Sequence, residues 1–298
     1  METRVLKYFL TVARTNNITK AARKLHITQP TLSRQIMDLE QELGVTLFDR
    51  QNRHLQLTKQ GALFQQKAML LLSLLDQTKQ ELQQSGHDLV GTVNLGCVVS
   101  NASSYIMKKV AAFQERYPDV QFNIYDGNGD LLKQRLDTGL ENLVVLIQPI
   151  EAAKYNYVIM PIKERWGVFM RRDLPFANKK HITKTDLYQV PLILPVRNIV
   201  RDDVSEVLGL DQRKLTVKAT NNLPNNALEL LRTGKYYGIG IQGVNQFYND
   251  PQIKFVPFAP AKETGHVIAW RKNIPLSPAA TRFLQFLTEN DRESVSNK

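Results

Sequence analysis

Apolar residues recur at helical spacing in three successive segments near the start of the chain, residues 2–14, 20–25 and 29–43. This periodicity predicts three helices, the second and third joined by a three-residue turn. Thr28 is a suitable N-cap for the third helix, and Pro30 falls in its first turn, where a missing N–H costs nothing. The pattern indicates a helix-turn-helix, or alternatively an ordinary helical hairpin with one solvated face.

The third predicted helix is amphipathic. One of its faces is apolar and carries Leu32, Ile36, Leu39 and Leu43. The rest of its first two turns offers polar side chains that suit hydrogen bonding in a DNA major groove. The candidate DNA-binding residues of this segment are Thr28, Gln29, Pro30, Thr31, Ser33, Arg34 and Gln35.

Positive charge is concentrated in the same region. The whole chain has a formal net charge of +11. Residues 1–37 hold seven Lys or Arg residues against Glu2 alone, so seven minus one gives +6. A local excess of this kind is what a phosphate backbone attracts, and it supports double-stranded promoter DNA as a partner.

A short β-hairpin is predicted after the third helix. Gly44 is a suitable residue to end that helix, and Leu55 and Leu57 alternate with a polar residue, as in a strand that returns from a polar tip. Such a hairpin would be a wing. Arg50 and Arg53 near its tip could reach phosphates or a narrow minor groove, where arginine is favoured. The alternative is a solvated loop.

The first 61 residues resemble the DNA-binding region of LysR-type transcriptional regulators. The resemblance rests on VLKYFLTVA, on NITKAARKLHITQPTLSRQIMDLEQELGVTLFDR and on LTKQG. It implies a winged helix-turn-helix. It also implies that Gln29, Pro30, Ser33, Arg34 and the wing residue Arg53 lie at the DNA interface.

One long helix is predicted from residue 59 to residue 85, with Thr58 as its cap. A seam in steps of three and four runs through Gly61, Phe64, Ala68, Leu71, Leu75, Thr78 and Leu82, and a second apolar face holds Leu63, Leu70 and Leu74. We interpret the seam as a dimerisation surface, with Phe64, Ala68, Leu71, Leu75 and Leu82 as its contacts. The alternative is a helix buried in the core of its own chain. The resemblance implies a homodimer, and further a homotetramer built as a dimer of dimers.

Strand-like and helical segments alternate beyond residue 88, which predicts an α/β domain with a mostly parallel sheet. The weaker resemblance of this half to LysR-type regulators implies two Rossmann-like subdomains, similar to periplasmic solute-binding proteins, with a ligand cleft between them. We expect a DNA-binding domain at 1–58, a linker helix and hinge at 59–88, and an effector-binding domain at 89–298. Within the last, subdomain I would comprise 89–161 and 267–298, and subdomain II 162–266.

Ligands of open α/β sheets bind beyond the carboxyl ends of the strands, near helix N-termini. The candidate effector-binding residues in such positions are Ser100, Asn101, Ser103, Asn128, Gly129, Arg197, Asn198, Asn221 and Asn222. Because Arg197 could pair with a carboxylate in a bidentate manner, we expect a small anionic effector. The alternatives are helix capping by Ser100 or Ser103, a surface position for Arg197, and ordinary loop positions for the asparagines.

Other classes of protein find less support in the sequence. It shows no P-loop, nucleophile elbow, paired-carboxylate motif or metal-ligand spacing, so we expect neither an enzyme nor a cofactor or metal site. A single cysteine, Cys97, fits a reducing cytoplasm, and burial at a strand end would make it a poor redox sensor. Without a signal pattern or a membrane-length apolar run, a solute-binding protein is disfavoured and a cytoplasmic location is expected. A regulator without a small effector stays open, and RNA polymerase is a candidate protein partner.

Overall fold

The computed structural model describes residues 1–49, 55–83, 89–150, 153–272 and 274–296. The chain forms two compact units, the first made of residues 1–85 with residues 137–140 and the second made of the rest. Within the described ranges, we find no helix that is both long and apolar enough to cross a membrane.

The described residues of the N-terminal unit form four helices and a two-stranded hairpin. In chain order they are α1 (Thr3–Thr15), α2 (Ile18–Leu25), α3 (Gln29–Leu43), β1 (Phe48–Asp49), β2 (Gln56–Leu57) and α4 (Lys59–Gln83). The core contains Phe9 and Val12 of α1 together with Leu32, Ile36 and Leu39 of α3, all essentially inaccessible to solvent. The apolar spacing that predicted these helices therefore faces a common interior.

The helix ends follow from capping chemistry. Thr28 caps α3, as predicted, because its hydroxyl accepts the Thr31 N–H at 3.3 Å. Gly44 ends α3 in the left-handed conformation, with φ of +67°. Helix α2 begins at Ile18, two residues before the predicted start, because the Asn17 side chain accepts the Lys20 N–H at 2.9 Å and caps it.

The hairpin is held against the end of α3. Strands β1 and β2 pair in antiparallel fashion, and the Glu40 carboxylate accepts the N–H groups of Leu47 and Phe48 at 2.7 and 3.0 Å. The wing strands are therefore present where the sequence predicted them. The tip, with Arg50 and Arg53, lies outside the described residues.

Helix α4 turns its predicted seam towards its own chain over the first turns. Thr58 caps it by accepting the Gly61 N–H at 2.9 Å. The Phe64 ring packs against Phe9, with 4.9 Å between the ring centroids, and Ala68 is fully buried.

Ala68 is part of the core of the N-terminal unit, and Phe64 is partly buried and packs against that core, so the role of these two residues in a dimer contact stays a prediction. The face of α4 that stays exposed carries Leu63, Leu71 and Leu74, which are 58%, 45% and 42% accessible. Of the predicted dimer residues, Leu71 lies on this face and Leu75 is half-buried. The side chain of Leu82 lies outside the described part.

In the part of the C-terminal unit that the structure describes, nine strands form one continuous sheet. Its strands are β3 (Gly91–Cys97), β4 (Val120–Asp126), β5 (Leu143–Ile147), β6 (Tyr155–Arg171), β7 (Pro191–Pro195), β8 (Thr216–Asn221), β9 (Tyr237–Ile241), β10 (Ile253–Pro257) and β11 (Glu263–Arg271). Its helices are α5 (Asn101–Arg116), α6 (Gly129–Asp137), α7 (Lys184–Leu187), α8 (Asn198–Leu208), α9 (Pro224–Arg232), α10 (Gly243–Tyr248) and α11 (Pro278–Ser296).

The sheet runs β4-β3-β5-β11-β6-β9-β7-β8, and β10 also pairs with β6. Pairing is parallel among β3, β4 and β5 and among β7, β8 and β9. The pairs that involve β6 or β11 are antiparallel. The sheet is therefore mixed, whereas the alternation of elements had predicted a mostly parallel one.

Strand β6 serves two hydrophobic cores. Its residues up to Arg165 pair with β11, and from Trp166 onward it pairs with β9 and β10. One core gathers around β3, β5, α5 and α11, and the other around the second half of β6 with β7 and β9. Pro161 and a run of charged residues interrupt the alternation of apolar and polar residues in the first half of β6, so that half is difficult to recognise as a strand from the sequence.

Candidate functional site

The first two turns of α3 present the predicted DNA-binding residues to solvent. Gln29, Pro30, Thr31 and Arg34 are exposed, and Ser33 and Gln35 are partly exposed. The hydroxyls of Thr28 and Thr31 bond to each other at 2.7 Å, so these two threonines are occupied at the cap. For Gln29, Ser33, Arg34 and Gln35 we find no side-chain hydrogen bond or ion pair to another described residue. These four side chains are thus available to an external partner.

A cavity of about 130 Å³ opens within the C-terminal unit, between its two cores. Five of the nine predicted effector-binding residues line it, namely Asn128, Gly129, Arg197, Asn221 and Asn222. They come from loops that follow β4, β7 and β8, where the carboxyl ends of parallel strands meet helix N-termini. The rule for open α/β sheets therefore led to residues that line a cavity, and their contact with an effector stays a prediction.

Ser100, Asn101 and Ser103 are not among the residues that line this cavity, so their contact with an effector stays a prediction. Ser100 is fully buried, and its N–H donates to the Ser103 hydroxyl at 3.1 Å. The Ser103 hydroxyl in turn donates to the carbonyl of Val98. The Asn101 N–H donates to the Glu164 carboxylate at 3.2 Å. These polar groups cap α5 and tie it to β6.

Arg197 is the charged residue of the cavity wall. It is 8% exposed, and its Nε–H donates to the Asp130 carboxylate at 3.1 Å. Arg197 also occupies the N-cap position of α8. The side chain of the neighbouring Asn198 lies outside the described part, so that prediction stays a prediction.

Most of the remaining wall is apolar, which sequence reasoning missed. Trp166 and Phe169 of β6 contribute rings, and Ile239, Ile241 and Val244 contribute aliphatic surface. Trp166 is 4% exposed, and within the described residues nothing accepts a hydrogen bond from its indole N–H. In the sequence, these wall residues are seen only as an apolar run in a strand, and such a run is equally typical of an ordinary hydrophobic core.

The cavity can hold one small molecule of a particular character. A volume of this size is close to that of a cavity of ~150 Å³ known to bind benzene. The apolar wall would take a hydrophobic body, and Arg197 with the asparagines would take an anionic or polar end. The expectation of a small anionic effector stays a prediction, to which the apolar wall adds a hydrophobic body.

Comparison with known families decides the identity of the chain. Residues 86–292 match the LysR substrate binding domain. Residues 3–62 match the bacterial regulatory helix-turn-helix protein of the lysR family. The chain belongs to the LysR family of transcriptional regulators. It is a LysR-family DNA-binding transcriptional regulator with an effector-binding domain, so the resemblance noted in the sequence is confirmed.

Individual relatives match all or part of this LysR-family chain. YybE of Bacillus subtilis (strain 168), an uncharacterized HTH-type transcriptional regulator, is 29% identical over 98% of this chain and 100% of its own. BsdA of the same organism, an HTH-type transcriptional regulator, is 39% identical over 46% of this chain and 48% of its own. Full-length CbnR, solved in complex with its target DNA, superposes with a TM-score of 0.74 at 22% identity, covering 97% and 99% of the two chains.

The one cysteine of this LysR-family chain sits in an unreactive setting. Cys97 is 1% exposed at the end of β3. Burial raises the pKa of its thiol, and the nearby carboxylates of Asp126 and Glu141 raise it further. Because the thiolate is the reactive form, this agrees with the expectation from the sequence.

Proposed function

We propose that this regulator reads base edges of promoter DNA with Gln29, Ser33, Arg34 and Gln35 of α3. The observation that carries the proposal is their availability on the surface, next to a wing and within the basic segment. Arginine and glutamine side chains match guanine and adenine edges in the major groove. Pro30 and the cap residues Thr28 and Thr31 would position the start of α3 rather than read bases.

The test begins with a duplex selected from a random-sequence pool by the full-length protein. Binding to this duplex and to a random duplex is then measured at two salt concentrations. We expect Arg34→Ala and Gln29→Ala each to weaken the selected duplex by ~1–3 kcal/mol more than the random one. Arg14→Ala, which removes one exposed charge from α1, is the control and should affect both duplexes equally.

The recognition proposal fails if Arg34→Ala and Gln29→Ala change selected and random DNA by the same factor. In that case the two side chains supply only general attraction to phosphate, which weakens all duplexes together and lowers the salt dependence.

We also propose that the effector is a small molecule with an apolar body and a carboxylate or similar anionic group. The support is the cavity itself, which joins the buried Arg197 to the rings of Trp166 and Phe169. Effector binding would shift the balance between arrangements of the cavity walls and so alter DNA contact. Self-association through the exposed face of α4 belongs to the same proposal, because a two-fold symmetric DNA site has to be contacted by the α3 helices of two subunits.

A further inference from the structure

The buried arginine of the cavity already has an anionic partner from the opposite wall. The Arg197 side chain, on the loop between β7 and α8, is 9% exposed, whereas that of Asp130, in the first turn of α6, is 56% exposed. The Nε–Oδ1 distance between them is 3.1 Å. Lys133, one turn further along α6, also approaches Asp130, with its Nζ 3.5 Å from the same oxygen.

Gly129 is what allows this contact. A Cβ at position 129 would lie 2.5 Å from Nη1 of Arg197 and 2.8 Å from its Cζ. The guanidinium therefore occupies the space that a side chain at position 129 would fill. Any other residue at that position would push Arg197 away from the start of α6.

The two members of the pair differ in what separation would cost them. Arg197 is a buried charge, and burial of a charge without a paired anion is strongly unfavourable. Asp130 is mostly in water, and a partly exposed ion pair contributes little, so its release is cheap. A ligand carboxylate in the cavity could therefore replace Asp130 at Arg197 with little net loss.

We propose that Asp130 is an internal counter-ion of Arg197 that an anionic effector displaces, and that Gly129 provides the space for this exchange. The inference rests on the effector-binding role proposed above and assigns its charge selectivity to named residues. A neutral molecule of the same shape brings no negative charge to replace the carboxylate of Asp130, so it cannot neutralise Arg197. Because a ligand has to replace Asp130 at Arg197, the cavity should bind an anionic molecule in preference to a neutral one of the same shape.

The experiment measures the Kd of benzoate, and of the neutral isostere benzamide, by calorimetry on the full-length protein. Asp130→Asn removes the competing charge, so we expect benzoate to bind about fivefold more tightly than to the parent, as loss of a weak ion pair would give. Benzamide binding should be the same in both proteins. Arg197→Gln and Gly129→Ala should lose benzoate binding, the latter because its Cβ takes the place of the guanidinium.

Lys133→Gln is the matched control, because it removes the second partner of Asp130 without touching Arg197, and it should leave the Kd of benzoate unchanged. The proposal is overturned if Asp130→Asn binds benzoate no more tightly than the parent, or if Lys133→Gln reproduces its effect. It is also overturned if none of the proteins binds benzoate. Binding of the selected duplex by Asp130→Asn shows separately whether the DNA-reading function is intact.

Discussion

Glu164 of β6 and His266 of β11 lie 3.0 Å apart, Oε2 to Nε2, and neither side chain has any exposed surface. The other carboxylate oxygen of Glu164 accepts the N–H of Asn101 at 3.2 Å. His266 Nδ1 lies 3.3 Å from the carbonyl oxygen of Ile162. The pair thus joins the two long strands to the start of α5, close to the point where β6 changes from one sheet partner to the next.

Removal of the buried carboxylate should therefore be costly. Glu164→Ala leaves His266 and the Asn101 N–H without their partner in the interior, and we expect it to lower the free energy of unfolding by about 3 kcal/mol. Denaturant unfolding of the full chain measures the loss. Glu263→Ala removes an exposed carboxylate from the same strand pair and should change stability little. Equal effects of the two substitutions would contradict the structural importance of the pair.

The helix-turn-helix could be predicted from the sequence because its determinants are local. The Thr28 cap, the left-handed Gly44 and the spacing of Leu32, Ile36 and Leu39 all act within one or two helical turns. The orientation of helix α4 was harder to predict, because both of its faces are apolar. Periodicity alone could not show that Phe64 turns inward while Leu63 stays exposed.

The cavity was predictable only in part, for a related reason. The rule that ligands bind beyond the carboxyl ends of the strands in open α/β sheets pointed to Asn128, Arg197 and Asn221. The partner of Arg197 is 67 positions away in the chain, and no local pattern connects the two. Trp166 lies in an apolar run whose neighbours are ordinary core, so nothing in the sequence separates a cavity wall from a packed interior.

Asp186 should make the stability of the C-terminal unit depend on pH. Burial alone would raise the pKa of this carboxyl, but Lys179 at 2.5 Å and the hydrogen bonds from Thr183 outweigh burial and hold the pKa below its ordinary value of 3.8. A lowered pKa contributes stability that is present above the unfolded value and is lost as the pH falls through the folded value.

We therefore expect Asp186→Asn to cost about 2 kcal/mol near neutral pH. The difference from the parent should shrink once the pH drops below the ordinary carboxyl value of 3.8. Unfolding midpoints across a pH series give the comparison, with the exposed Asp119→Asn as control. A difference that grows on acidification would show that the sign is wrong.

Gly61 and Gly44 provide a test of why the N-terminal unit uses glycine. A Cβ at Gly61 would lie 2.0 Å from the carbonyl oxygen of Leu47, a backbone atom with little freedom to move. At Gly44 nothing lies within 4 Å, and only the positive φ opposes a side chain. We expect Gly61→Ala to cost about 3 kcal/mol through overpacking and Gly44→Ala about 1 kcal/mol through backbone strain. Thermal unfolding of the full chain ranks them, and the reverse order would contradict the close approach of α4 to the wing.

The exposed face of α4 should mediate self-association, whereas its buried face should maintain the fold. Leu71→Lys combined with Leu74→Lys places two charges on the exposed apolar stripe. We expect the dissociation constant of the assembly to rise about thirtyfold, the effect of losing a contact worth about 2 kcal/mol. Phe64→Ala removes a ring that packs on Phe9, and it should instead lower the free energy of unfolding by about 3 kcal/mol.

Sedimentation velocity over a concentration series distinguishes association from folding in these variants. Ala62→Lys adds one lysine at an exposed position of α4 outside the stripe, so it should sediment like the parent. If the double lysine variant also sediments like the parent, the exposed leucines are not the contact surface. Self-association would then have to use a different surface, and Ala68 could not supply it because this residue is fully buried in its own chain.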